Sequence, residues 1–216
     1  MAPNATRGVE LVLLRHGETQ WNREGRFTSF TDVALHDDAR AVLEQTAATL
    51  RGMTIDRVLV SPLRRARETE RILREFGAFG RAPAAVCEAL REVGFGVFEG
   101  ATKQELGSGP RAREFERWFA GDASPAAPSG EAWDSVAARV DRFLEERSAE
   151  SGTTVVVAHG YLLKAVAARA FGLRASAVRT LRWPNGAVLR LRLAANGWQL
   201  DGELDSWLGD QLKDRR

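Results

Sequence analysis

The chain predicts an α/β fold, a three-layer α/β/α sandwich with a mostly parallel central sheet and an antiparallel edge. Short aliphatic runs at residues 9–14, 57–60 and 153–158 alternate with longer segments of helical period, as parallel strands joined by crossover helices do. Two of these runs end alike, in "LLRHG" at 13–17 and "VVVAHG" at 155–160, where a strand gives way to a histidine and a glycine. Toward the C-terminus, "AVLRLRLAANGWQLDGEL" alternates apolar and polar residues around Asn196 and Gly197, a hairpin signal that supplies the antiparallel edge.

The elements follow in order. After the first strand, "DDARAVLEQTAATLRG" has acidic residues at its start, apolar residues at helical spacing and Gly52 at its end, which predicts a helix. A second helix is expected to begin near Pro62 in "SPLRRARETERILREF", because proline suits a first helical turn. "AAVCEAL" reads as a core run containing Cys87. "GDASPAAPSG" at 121–130 interrupts two helical stretches and reads as a loop or lid, not a domain boundary. "EAWDSVAARVDRFLEERSAES" then places Trp133, Val136, Val140, Phe143 and Leu144 on one helical face. The expectation is a single domain over 1–216 with a lid or cap insertion around 101–131.

Composition excludes several classes. With 216 residues, 44% hydrophobic and 28% charged, the chain can bury a substantial core and has no signature of disorder. The 31 basic and 29 acidic residues leave a net charge of +2. Glu68, Glu70 and Glu75 interrupt the arginines of the 63–74 segment, which argues against a continuous basic track for nucleic acid. Of the basic residues, 28 are arginine and 3 lysine, consistent with a coding bias. A single cysteine cannot form an internal disulfide or a multi-thiolate metal site. "MAPNATRG" lacks the apolar stretch of a signal peptide and no run approaches a membrane span, so a cytoplasmic protein with no membrane partner is expected.

In open α/β sheets, ligands collect at the carboxyl ends of parallel strands. Arg15, His16, Ser61 and His159 all stand at such ends and could meet in one site. Two imidazoles and a guanidinium converging there suit a doubly charged anion, and phosphate is the obvious candidate, since arginine grips phosphate bidentately and stays charged.

"LLRHGETQWN" resembles the signature of the histidine phosphatase superfamily, which includes cofactor-dependent phosphoglycerate mutases and many small-molecule phosphatases. "VSPLRRARET", "LREVGFGVFEG", "PSGEAWDSVAARVDRFL" and "VVVAHG" match in the family's order, so the resemblance spans roughly residues 9 to 190. It implies a phosphoglycerate mutase-like fold and a metal-independent phosphomonoester hydrolase acting through a phosphohistidine. His16 would be the nucleophile and Glu92 the proton donor to the leaving alkoxide. Arg15, Arg65 and His159 would surround the phosphoryl oxygens, with Asn22, Thr28 and Gly160 as further phosphate contacts. No metal and no cofactor are expected, and the partner is a small phosphomonoester, a sugar phosphate or related metabolite.

Departures bear on the substrate. Many relatives read Gln-Gly-Trp where this chain has Thr28, Ser29 and Phe30, and a threonine there is similar to the sugar-bisphosphatase and broad acid-phosphatase branches. The side chain of Ser29 is expected to narrow the cleft or alter the backbone beside it. The mutases carry Arg-His-Tyr-Gly after the acid and Asn-Ser after the second His-Gly, against Val93, Gly94, Phe95, Gly96 and Tyr161, Leu162 here. That favours hydrolysis over the alternative of a phosphoglycerate mutase, with substrate contacts from the lid, Trp118 and Phe119 included, and from Tyr161, Trp133 or Trp183. An alternative of another class is a non-catalytic phosphate-binding module. A homodimer through the C-terminal edge strands and a monomer are both consistent with the sequence.

Overall fold

The structure is a computed structural model that describes residues 8–120, 126–175 and 177–201. Six strands form one sheet in the order β3-β2-β4-β1-β5-β6: β1 (Val9–Arg15), β2 (Arg57–Val60), β3 (Ala84–Val86), β4 (Gly152–Ala158), β5 (Val188–Ala194) and β6 (Gly197–Leu200). The first four are mutually parallel, and β5 and β6 close one side antiparallel. This is the expected mixed sheet, with one strand more: β3 lies in a run that reads by composition as core. It is an exposed edge strand, and Cys87 after it is half-buried.

The period-two alternation of β1 and β4 decides the layers, since successive side chains of a strand point to opposite faces. Leu11, Leu13, Val156 and Ala158 face a core shared with α6 (Trp133–Ser148) and α7 (Gly160–Ala170). Val12, Leu14, Val155 and Val157 face the opposite core, against α2 (Ala39–Leu50) and α3 (Arg64–Glu75). These eight side chains are fully buried, each contributing about 1.5–3 kcal/mol for the larger aliphatics. Helix α3 begins at Arg64, two residues beyond Pro62, with Leu63 as its extended N-cap. Its outer face is neutralised by the (i, i+4) pairs Arg64–Glu68, Arg74–Glu70 and Arg71–Glu75 at 2.6–2.7 Å.

A third cluster lies beyond the carboxyl ends of the parallel strands. Phe27, Phe95, Phe98, Leu106, Phe115, Trp118 and Ala127 bury one another beneath the short helices α4 (Lys103–Ser108) and α5 (Ala112–Ala120). The rings meet edge to face, as at Phe27–Phe95 (5.3 Å) and Phe98–Phe115 (5.5 Å). Of the loop expected over 121–130, Ala127 is buried in this cluster and 121–125 lie outside the described residues. Of the described helices, none is long and apolar enough to cross a membrane. The remaining short helices are α1 (Gln20–Arg23) and α8 (Ala177–Thr180).

The segment after Glu92 is held by backbone packing that only glycine permits. Gly96 has φ +50°, and a Cβ on it would stand 2.1 Å from the carbonyl oxygen of Pro128. Val97 N–H donates to that same oxygen at 3.0 Å, and Glu131 N–H donates to Gly94 O at 2.8 Å. Gly96→Ala must therefore displace the 128–130 turn while adopting a strained φ, a cost of about 2 kcal/mol. The thermal midpoint is expected to fall by roughly 4–8 °C. An unchanged midpoint in a calorimetric or circular dichroism melt would show that this close approach does not constrain the fold.

Candidate active site

Parallel pairing of β1 with β4 puts Arg15 opposite Ala158, and His16 N–H donates to Ala158 O at 2.9 Å. The next residue of each strand is a histidine, so the register by itself sets His16 beside His159. Their ring centroids are 5.1 Å apart, tilted by 57°. Both rings are buried, and a buried polar group without a partner costs about 1–3 kcal/mol. Each ring is accordingly hydrogen-bonded.

The bond of His16 determines its chemistry. Its Nδ1 lies 2.7 Å from Gly17 O, and because a carbonyl can only accept, Nδ1 carries the proton. Burial, and then the charges of Arg65 and Arg15, hold the imidazole pKa well below its ordinary value. The ring is neutral at neutral pH, with the Nε2 lone pair available. His159 is the opposite tautomer: Arg65 Nε donates to its Nδ1 at 3.1 Å, so Nε2 carries the proton and donates to Ser61 Oγ at 2.6 Å. Burial and then the adjacent Arg65 hold its pKa well below the usual range as well.

His16 opens onto a cleft of about 640 Å³, lined also by Arg15, Asn22, Thr28, Glu92 and Gly160. Arg15, at the end of β1, donates through Nη1 to Trp183 O, while its buried Nε has no hydrogen-bond partner among the described residues. Burial lowers its pKa to about 10, so it remains a cation. Gly160 has a steric reason to lack a side chain, since a Cβ there would sit 3.2–3.3 Å from the Arg15 guanidinium. Asn22 accepts through Oδ1 from Thr19 N (3.1 Å) and from Asn185 Nδ2 (3.1 Å), which turns its own amide nitrogen to donor duty. Thr28 Oγ1 donates to Arg26 O at 3.3 Å and so ties its own loop.

Glu92 is buried and fixed from several sides. Its carboxylate accepts from Val93 N (2.8 Å) and from the first turn of α7, at Leu162 N (2.9 Å) and Tyr161 N (3.1 Å). Arg139 on α6 grips the carbonyls of Ala89 and Arg91 at 2.8 Å while pairing with Glu131, whose Oε2 accepts from Gly94 N at 3.3 Å.

Arg65 and His159 are fully buried, with the His159 ring beside that of His16. Arg65 spends its donors on His159, on Thr31 O (3.1 Å) and on Ser29 O (2.8 Å), so it braces the 29–31 loop from behind His16. Ser29 does not narrow the cleft. Its side chain is buried away from it, donating to Val93 O at 3.0 Å and accepting from Phe95 N at 3.3 Å. Glu99 Oε1 accepts from Ser29 N and Thr31 N, which joins the Thr28 loop to the Glu92 segment.

Tyr161, Trp183 and Phe119 line the cleft; Trp133 packs against the α6–α7 core, and Trp118 is buried in the aromatic cluster. Residues that sequence reasoning missed include Asn185, whose Nδ2 also bonds His16 O at 3.0 Å, and the cations Arg26, Lys103, Lys164, Arg179 and Arg182 of the cleft wall. Lys164 had a signal: it lies one helical turn beyond Gly160, on the helix that the second His-Gly starts. Among the described residues, no three His, Cys, Asp or Glu side chains stand close enough to hold a metal together.

The chain is similar to other proteins over nearly its whole length. A probable phosphoglycerate mutase GpmB of Shigella boydii is 30% identical over 213 residues, covering 94% of this chain and 93% of that protein. The crystal structure of a putative alpha-ribazole-5'-P phosphatase from Escherichia coli superposes with a TM-score of 0.79 at 25% identity, over 90% of this chain and 95% of that one. A mycobacterial glucosyl-3-phosphoglycerate phosphatase, solved in complex with VO3, superposes with a TM-score of 0.75 at 29% identity, over 89% and 97%. The family description of the histidine phosphatase superfamily, branch 1, matches residues 11–205, and the chain belongs to that superfamily.

Proposed function

We propose that the chain is a metal-independent phosphomonoesterase that works through a phosphohistidine at His16, on a small sugar phosphate or related metabolite. The observation that carries this reading is the tautomer of His16: Nδ1 is committed to Gly17 O, so the free lone pair sits at Nε2 in a cation-lined cleft with Glu92. A neutral imidazole is a competent nucleophile, whereas a protonated one is not.

In the first step Nε2 forms a bond to phosphorus as the ester P–O bond breaks, and Glu92 gives its proton to the departing alkoxide. In the second, Glu92 takes a proton from water, the hydroxide forms a P–O bond, and the N–P bond breaks to release phosphate. Arg15, which lines the cleft, meets the phosphoryl oxygens with its guanidinium, and Asn22, Thr28 and the backbone of Gly160 complete the cradle. Fixed cations in a partly desolvated site stabilise the charge that builds on those oxygens, and such electrostatic stabilisation usually accounts for most of the rate gain in phosphoryl transfer. Arg65 and His159 act from behind, through the charge of the guanidinium and the placement of His16. We read residues 101–131 as a cap over this cleft.

Hydrolysis is favoured over transfer because the positions where mutases carry polar readers of a phosphoglycerate are Val93, Gly94, Phe95 and Leu162 here, with Phe95 buried among aromatic rings. The second reading, a phosphoglycerate mutase, has the name of the Shigella relative in its favour. A non-catalytic phosphate-binding module is disfavoured by the presence of both His16 and Glu92.

Phosphate release from p-nitrophenyl phosphate is expected to fall at least 10³-fold in His16→Ala with the circular dichroism spectrum unchanged; a variant keeping most of the wild-type rate would remove the nucleophile assignment. Exhaustive treatment with EDTA is expected to leave the rate within twofold, and loss on chelation with recovery on adding a divalent cation would refute the cation-free route. Given 3-phosphoglycerate and a trace of 2,3-bisphosphoglycerate, the protein should yield inorganic phosphate and no fast isomerisation. Rapid appearance of 2-phosphoglycerate would make it a mutase.

A further inference from the structure

We infer, resting on the phosphomonoesterase reading above, that the substrate carries a second anionic group on its leaving-group side and that Lys164, aided by Lys103, binds it. The cleft volume of about 640 Å³ is of the size that holds a whole small metabolite rather than a phosphoryl group alone. Its wall holds the basic side chains Arg15, Arg26, Lys103, Lys164, Arg179 and Arg182 together with Glu92.

The cations are not equivalent. Arg15 belongs to the phosphoryl cradle. Arg26 is committed to the protein, through Glu24 at 2.6 Å and Gly100 O at 2.7 Å. The two lysines instead rest on aromatic faces, Lys164 Nζ 4.5 Å from the Tyr161 ring centre and Lys103 Nζ 4.4 Å from that of Phe119. Among the described residues, no carboxylate lies within ion-pair distance of either ammonium. Lys164 is half-buried, and burial, followed by the neighbouring Arg15 charge, lowers its pKa to about 8. A half-buried ammonium beside another cation, with no carboxylate of its own, is held at a cost that an anionic ligand would relieve.

Position says which part of the substrate is read. Glu92 is bound to the first turn of α7, and Lys164 stands on the next turn of the same helix, within electrostatic reach of Glu92. Lys164 and the acid that protonates the leaving oxygen are thus anchored to one helix, which puts an anion on the leaving alcohol within reach of the ammonium. Composition points the same way: the chain has 3 lysines among 31 basic residues, and two of the three line this cleft. A compact ammonium with three rotatable donors can serve either a carboxylate or a second phosphate.

The test compares kcat/KM within two substrate pairs that differ only in the second charge, glycerol 3-phosphate against 3-phosphoglycerate and fructose 6-phosphate against fructose 1,6-bisphosphate. The wild type is expected to prefer the more anionic member of at least one pair by tenfold or more, and which pair responds tells carboxylate from phosphate. Lys164→Gln should reduce that preference at least tenfold, mainly through KM, and Lys164→Arg should retain more of it than the glutamine variant; melting curves for both variants control for folding. No preference in either pair, or a preference untouched in Lys164→Gln, overturns the second-anion site while hydrolysis of p-nitrophenyl phosphate keeps the phosphomonoesterase reading intact. Absence of phosphate release from every ester, p-nitrophenyl phosphate included, overturns both.

Discussion

The active-site geometry depends on one backbone constraint, the parallel register that pairs Arg15 with Ala158. Strand pairing is set by the hydrophobic alternation of both strands, because a slip of one residue would move Leu11, Leu13, Val156 and Ala158 out of one core and into the other. The penalty for such a slip is the burial energy of a whole strand face, far larger than any single polar contact in the cleft. The apolar interior thus positions the two histidines, and the cleft inherits their spacing from the core.

Once those polar groups are carried into the interior, their need for partners arranges the rest. His16 turns Nδ1 to Gly17 O, and His159 is held between Arg65 and Ser61. Arg65 then has donors left over, and the carbonyls of Ser29 and Thr31 take them. Through Ser29 and Glu99 the same chain of contacts reaches the segment that carries Glu92, while Glu131 and Arg139 hold that segment from the other side. His159, beside His16, and Glu92 are therefore parts of one hydrogen-bonded frame, in which each buried donor or acceptor left open would cost about 1–3 kcal/mol. A frame of this kind keeps its side chains at fixed distances.

Substrate-facing surface comes from other elements. The aromatic cluster beneath α4 and α5 supplies one wall, and the chain around 179–185 supplies another. These parts have little tie to the sheet register and can change without disturbing the histidine pair. In the function proposed above, phosphoryl chemistry and the choice of alcohol rest on different portions of the chain, with Lys164 among the second.

By itself the sequence determined the strands at 9–14, 57–60 and 153–158, the amphipathic helix at 133–148, the C-terminal hairpin and the strand-end residues Arg15, His16 and His159. Those features are written in local periodicity and in turn chemistry, which short windows contain. The edge strand Ala84–Val86 was hidden, because three exposed small residues have no alternation to read. Tertiary structure alone decided that Arg65 and His159 are fully buried, that the Ser29 side chain bonds Val93 O in the Glu92 segment, and that Asn185 reaches the backbone of His16. The physical reason is that a buried polar side chain turns toward whatever partner the packed fold brings within about 3 Å, and that partner comes from a distant part of the chain.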